Sequence, residues 1–280
     1  MQAQQQQKQI IVGKTFVLVK KIGEGSFGKL FLGRKKTLDD SSSDENNYAI
    51  KLITHESIGR NEIEIYEKLK GLKNIPSIYA AGLEGKFHYI VMDLLEQSLD
   101  QLCKENNTMP LKVIVHLGLQ MLDLLESVHE RGVIHRDIKP SNFLLKTNKL
   151  TGVSELYLID FGLSLSEDNN ERKQIKTNEP LLGTTRYMSV AVHQGLTAGK
   201  RDDLESLGYI LIFLQKGSLP WQDAPADMAL PIKQTFDWAY SKIICGEFIL
   251  FINYCKNLPF NVKPKYDYLR GLLTNLHFTF

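Results

Sequence analysis

Val133-Ile134-His135-Arg136-Asp137-Ile138-Lys139-Pro140-Ser141-Asn142 is the most informative run in this 280-residue chain. Its histidine, arginine, aspartate and asparagine stand at H-R-D-x-x-x-x-N spacing. In that pattern Asp137 is placed to orient a hydroxyl and accept its proton. Asn142 can hold a metal ion, and Lys139 can sit on a phosphoryl group in transfer. Downstream, Leu158-Ile159-Asp160-Phe161-Gly162 reads as an apolar strand that delivers Asp160 to Mg²⁺.

Upstream, Gly23-Glu24-Gly25-Ser26-Phe27-Gly28 has G-x-G-x-x-G spacing. A dinucleotide fingerprint would run into a helix after its third glycine. Here Leu30-Phe31-Leu32 follows and reads as a strand; glycines often serve only turns, but a strand–glycine loop–strand hairpin is also the form whose backbone covers the phosphates of ATP. Such a hairpin calls for a lysine on the next strand, and Ala49-Ile50-Lys51 supplies it. The lysine needs an acidic partner from the following helix, for which Glu62, Glu64 and Glu67 are candidates. Glu62 shares a helix face with Ile65, Tyr66 and Leu69 and should point inward, so it is taken as the partner. Glu64 stands four residues before Lys68, which suits an exposed surface pair.

Hydrophobic residues make up 43% of the chain and charged residues 24%, which supports a large core and excludes disorder as a description of the whole. A net charge of +2 is too mild to argue for a nucleic-acid partner. The longest apolar run, residues 207–214, falls well short of the ~20 a membrane span needs. The glutamine-rich start lacks the apolar segment of a signal peptide. Cys103, Cys245 and Cys255 show no metal spacing and cannot all pair, which points to buried free thiols in a reducing compartment.

Along the chain, residues 1–13 read as a disordered Gln-rich tail. Strand-like stretches follow from Phe16. An insert over 37–47 reads as a mobile hairpin loop whose acid-flanked Ser41, Ser42 and Ser43 are open to phosphorylation. A strand over 48–53, a helix over 62–72 and strands near 78–83 and 88–92 complete the first third. After Leu95 the pattern turns helical, over 113–129 (one apolar face through Val113, Leu117, Met121, Leu124 and Val128), 199–215 and 247–258. A strand-rich third followed by a helix-rich remainder is an α+β arrangement with two lobes. His116 and His129 read as packing or surface residues, His135 as structural, and Trp221 and Trp238 as core or groove aromatics.

With these residues in place, the sequence resembles eukaryotic protein kinases from about residue 14 onward, and within them the casein kinase 1 family. The telling runs are Gly183-Thr184-Thr185-Arg186-Tyr187-Met188-Ser189, Arg201-Asp202-Asp203-Leu204-Glu205-Ser206-Leu207-Gly208-Tyr209 and Gly217-Ser218-Leu219-Pro220-Trp221-Gln222. Lys263-Pro264 and Tyr268-Leu269-Arg270 fit as well, and no Ala-Pro-Glu follows the activation segment, a habit of that family. The resemblance implies a two-lobed protein kinase fold, with a small β-rich N-lobe over 14–95 and a larger, mostly helical C-lobe over 96–280. It implies transfer of the ATP γ-phosphate, with Mg²⁺, to serine or threonine of acidic or phospho-primed protein substrates. Lysine two residues after the catalytic aspartate is the pattern of serine/threonine kinases. Asp137, Lys139, Lys51 and Glu62 would be catalytic. Ile22, Gly23, Gly25, Ser26, Gly28, Leu30, Ala49 and Lys51 would bind ATP, with Met92 as gatekeeper, Leu95 offering hinge backbone groups, and Asn142 and Asp160 holding the metal. Arg136, Arg186 and Thr184 would face the substrate or its anion, with Thr184 bonded near Asp137, and Asp203 would brace the catalytic loop. A monomer in the cytoplasm or nucleus is the matching expectation.

Some positions depart from the family. Glu96-Gln97-Ser98 replaces the hinge Gly-Pro-Ser, and Leu165 and Glu179 stand where lysines are expected. The stretch Gln222-Asp223-Ala224-Pro225-Ala226 also lacks a lysine. Lost cations and gained carboxylates weaken anion binding, which predicts less dependence on primed substrates, although Arg172, Lys173 and Lys176 are available to compensate. The spacing from Lys51 to Glu62 is also shorter than the family's.

Overall fold

Strand-forming residues recur from Ile11 to Asp93, and they build one antiparallel sheet. Its strands are β1 (Ile11–Val12), β2 (Phe16–Gly25), β3 (Gly28–Lys35), β4 (Asn47–Ile53), β5 (Ile78–Glu84) and β6 (Phe87–Asp93), in the order β1-β2-β3-β4-β6-β5. A single helix, α1 (Glu56–Lys68), connects β4 to β5. This computed structural model describes residues 10–25, 27–36, 47–106, 108–167, 175–176, 181–236 and 244–277. The expected tail through Gln9, Ser26, the serines at 41–43, Arg172, Lys173, Glu179 and Trp238 lie outside the described residues.

Side chains alternate across a strand, and directly paired residues share a face. The pairs Leu30↔Lys51↔Ile90 and Leu32↔Ala49↔Met92 therefore line one face of the sheet. On the other face, Val12, Phe16, Ile50, Tyr89 and Val91 form a buried cluster. Val12 belongs to this core, and Ile11 and Val12, read in the sequence as part of the tail, form a strand that pairs with Val17 and Phe16. Helix α1 begins earlier than the expected residue 62 and ends at Lys68. Gly59 and Asn61 interrupt the apolar pattern over its first turns, which hides its start from a periodicity reading.

The chain divides into two compact units, one of residues 1–71 and 75–95, the other of residues 72–74 and 96–280. The 72–74 turn departs from the boundary at 95 because its hydrogen bonds go elsewhere. Asn74, at φ 62°, donates through Nδ2 to the Leu156 carbonyl at 2.7 Å and accepts from Leu158 N at 3.1 Å.

The second unit is helical. It contains α2 (Leu99–Asn106), α3 (Leu111–Glu130), α4 (Val190–His193), α5 (Lys200–Lys216), α6 (Ala226–Thr235), α7 (Gly246–Asn257) and α8 (Tyr266–His277). Helix α5 is buried on every side from Asp202 to Leu214, as befits a helix around which others pack. Helix α3 buries Ile114, Leu117, Met121, Leu125 and Val128, whereas Val113 is exposed, so its apolar stripe lies slightly round from the one read in sequence. Arg270 of α8 reaches Asp123 and Glu126 of α3 and holds the two helices in register.

Two short antiparallel strand pairs sit among these helices: β7 (Val133–Ile134) with β10 (Leu165–Ser166), and β8 (Phe143–Thr147) with β9 (Ser154–Leu158). The altered hinge finds partners here. Glu96 N donates to Leu145 O at 2.8 Å, and the Glu96 carboxylate accepts from Thr147 N and Oγ1 at 3.0 and 2.8 Å. Cys103 and Cys255 are buried free thiols and Cys245 is half-buried. Among the described residues no helix is long and apolar enough to cross a membrane.

Candidate active site

In the first unit, the register of β4 decides what Lys51 meets. Lys51 lies on the face that carries α1, and its Nζ stands 2.7 Å from both carboxylate oxygens of Glu62. Glu62 is fully buried and the Lys51 side chain is 16% exposed, whereas Glu64 and Glu67 face solvent. Ala49 and Met92 share the Lys51 face as buried neighbours, Leu30 is half-buried there, and Leu95 is the last residue of this unit. Ile22 is exposed at a bulge in the β2–β3 pairing. Of the three glycines in the hairpin, only Gly28 is demanded by the unit's own packing: a Cβ there would lie 2.2 Å from the Leu52 carbonyl oxygen. Gly23 and Gly25 have room for a side chain, so a bare backbone there serves something other than the fold.

In the second unit, β7 leads into the Asp137 loop and β8 leads out of it. The Asp137 carboxylate is nearly buried and accepts three bonds. Thr184 N and Oγ1 reach Oδ1 at 2.9 Å each, and Lys139 Nζ reaches Oδ2 at 2.5 Å. Lys139 Nζ also donates to Thr184 Oγ1 at 3.1 Å, which closes a three-residue ring around the carboxylate. Gly183, at φ 105°, lets this segment approach: a Cβ there would stand 2.9 Å from the Arg136 carbonyl oxygen. The β8–β9 pairing then brings Asn142 beside Asp160. Ile159 N donates to the Asn142 carbonyl at 3.0 Å, and His135 Nε2 donates to the Ile159 carbonyl at 3.0 Å. Phe161 packs against the His135 ring at 5.0 Å.

Arg136 and Asp160 hold φ of 71° and 70°, a left-handed conformation that non-glycine residues adopt at a cost of about 1–3 kcal/mol. The brace for Arg136 is Asp203, whose Oδ1 accepts from Arg136 N at 2.9 Å and Oδ2 from His135 N at 2.7 Å. Burial pushes the Asp203 carboxyl up, but the hydrogen bonds it accepts, that of His129 first and then that of the His135 backbone, outweigh it and hold its pKa below the ordinary value. The next aspartate behaves oppositely. Burial raises Asp202 to about 6 even though Ser189 donates to it at 2.6 Å.

Two groups escaped the sequence reading. His129 is a buried hydrogen-bonding residue, with Nε2 2.9 Å from Asp203 Oδ2, rather than mere packing. Its place on the buried stripe of α3 was the available signal. Lys233 carried no signal at all. It is fully buried in α6, with Nζ 2.6 Å from both the Thr185 and Met188 carbonyls and over the rings of Trp221 and Tyr209. It thus holds the segment that begins with Thr184. Burial lowers its pKa to about 7, against the opposing pull of Glu205. Between pH 7 and the ordinary lysine range, the unfolded chain therefore binds more protons at this residue than the folded one, and stability rises with pH. Urea unfolding at pH 7 and pH 9 is expected to show this rise diminished in Lys233→Met relative to the native chain.

Asn142 spends Nδ2 on the Asp137 carbonyl at 2.9 Å, which leaves its Oδ1 as an oxygen donor turned away from that bond. With the Asp160 carboxylate this makes a pair of hard oxygen ligands, the set suited to Mg²⁺ completed by phosphate oxygens and water. The residues present fit a divalent cation. Arg136 and Arg186 are half-buried, and the Arg186 carbonyl accepts from Trp221 Nε1 at 2.7 Å. Of the cations read as compensating, Lys176 is exposed, and the opposing carboxylate of Asp223 is exposed too. Residues 16–260, most of the chain, match the family model of the protein kinase domain.

Proposed function

The chain belongs to the protein kinase family, and on that premise we propose that it is a serine/threonine kinase of the casein kinase 1 type. As a protein kinase it transfers a phosphoryl group from ATP to protein substrates and uses a divalent metal; Mg²⁺ is our assignment for that metal. The observation that carries the serine/threonine reading is the ring of Asp137, Lys139 and Thr184, with Lys139 Nζ 2.5 Å from the carboxylate and 3.1 Å from the threonine hydroxyl. Lysine at that position is the serine/threonine pattern, and here it already sits on the carboxylate that would take the acceptor proton.

Phosphoryl transfer asks the protein mainly for position and charge. Asp137 would align the incoming hydroxyl and accept its proton. Lys139 would lie on the transferring group, and Lys51, oriented by Glu62, would hold the α- and β-phosphates. The backbone at Gly23 and Gly25 would cover the phosphates. Asn142 and Asp160 would hold Mg²⁺, which when bound neutralises phosphate charge. Thr184 would set the Asp137 carboxylate, and Arg136 and Arg186 would supply positive charge on the substrate side.

Acidic substrates follow from that charge. The absence of lysine at 165 and 179, and exposed Asp223, support a weak demand for priming. Phosphate transfer from radiolabelled Mg-ATP to matched serine, threonine and tyrosine peptides, each in acidic, basic and phospho-primed forms, tests the reading. Labelling of serine and threonine in the acidic peptide, little changed by a phosphate three residues before the acceptor, is the expected result. Preferred labelling of tyrosine would overturn the specificity, and a large gain from priming would overturn the substrate reading.

A further inference from the structure

Beneath the Asp137 loop lies a chain of three buried side chains from three different helices. Asp203 of α5 accepts from His135 N, Arg136 N and His129 Nε2. His129 of α3 meets the hydroxyl of Tyr266, the first residue of α8, through Nδ1 at 2.7 Å. Tyr266 is 3% exposed, and the His129 and Asp203 side chains are 1% and 2% exposed, so water does not compete for these bonds.

With the His129 ring neutral, the chemistry of the three groups fixes the direction of each bond. An ionised carboxylate only accepts, so the Asp203 bond places a proton on His129 Nε2. In the neutral ring Nδ1 is then an acceptor, and it takes its bond from the tyrosine hydroxyl. Burial first, and then the charge of Asp203, raise the Tyr266 pKa far above its ordinary value, which keeps the hydroxyl protonated and able to donate. Without that hydroxyl no other described group hydrogen-bonds Nδ1, Asp203 alone favours the Nε2–H form, and the other tautomer becomes more accessible. That tautomer offers a lone pair, rather than a proton, to the carboxylate that holds Arg136 at φ 71°.

We propose that Tyr266 is a positioning residue for phosphoryl transfer: it selects the His129 tautomer that orients Asp203 and, through it, the His135–Asp137 backbone. Helix α8, registered on α3 by Arg270, is thereby part of the apparatus that sets the catalytic loop. The inference rests on Asp137 being the catalytic carboxylate.

Tyr266→Phe deletes only the hydroxyl. Losing one buried hydrogen bond in such a chain is expected to lower kcat roughly 5–30-fold, with the KM for ATP nearly unchanged. Nitrogen-15 spectra of the imidazoles should show His129 as the Nε2–H tautomer in the native chain and as a mixture in the variant. His129→Gln should lower kcat as well, and adding Tyr266→Phe to it should lower kcat no further, because both act through one chain. A native kcat in Tyr266→Phe, an unchanged tautomer alongside a reduced kcat, or additive losses in the double variant would each overturn the proposal. Should Tyr266→Phe not fold, the native spectrum still decides: a His129 signal from the Nδ1–H tautomer or the doubly protonated ring overturns it, and an Nε2–H signal whose Nδ1 resonance carries the shift of an accepted hydrogen bond upholds it. Failure of the underlying reading looks different, because Asp137→Asn would then retain full transfer.

Discussion

Asp137→Asn is expected to lower kcat by roughly 10²–10⁴-fold, the range general acid–base catalysis contributes, with little change in thermal stability. The substitution keeps the size and shape of the side chain. It replaces one carboxylate oxygen with an amide NH₂, which cannot accept a proton from the substrate hydroxyl. The same NH₂ must face either Lys139 Nζ or the Thr184 donors, all of which now point at acceptors. The fold is spared because the brace of the loop is Asp203, bonded to the backbone of His135 and Arg136 rather than to Asp137. Single-turnover transfer with saturating ATP and peptide, beside a thermal unfolding scan, checks both halves. Transfer at the native rate would remove Asp137 from the chemistry.

Lys51→Met is expected to act on rate and stability together. The lost cation should reduce transfer by about 10²–10³-fold, the cost typical of removing one group that stabilises developing charge. It also leaves the carboxylate of Glu62, fully buried, without its lysine. Breaking a buried ion pair from one side costs about 3–5 kcal/mol, so the urea midpoint should fall markedly. The double variant Lys51→Met/Glu62→Gln removes the buried charge. It should regain much of the stability and none of the activity. A Lys51→Met chain as stable as the native one would show that Glu62 does not depend on this pair.

Most of the first unit was legible in the residues. Strand-like runs placed β3, β4 and β6, and a shared helix face singled out Glu62 from Glu64 and Glu67. What the pattern missed was local. Ile11 and Val12 are too short a run to announce a strand, and they become one only because Phe16 and Val17 offer an edge to pair with. In the second unit the loop motifs were equally legible, since a contiguous string such as 133–142 carries its own spacing. The anchors of that loop were not. His129, Lys233 and Tyr266 are each separated in the chain from what they touch, and a lysine is of a type rarely found fully buried.

By itself, the sequence determined which residues are candidates for phosphoryl chemistry, their order along the chain, and the strand-rich and helix-rich character of the two units. These are properties of local pattern, written within one turn of helix or a few residues of strand. Only the tertiary structure decided how those groups are held. It set Lys139 and Thr184 on Asp137, put Asp203 under a left-handed Arg136, and buried Lys233 against the carbonyls of the following segment. The physical reason is that a buried polar group must find its partner wherever packing provides one. Packing brings together residues far apart in the chain, and no local pattern records the meeting.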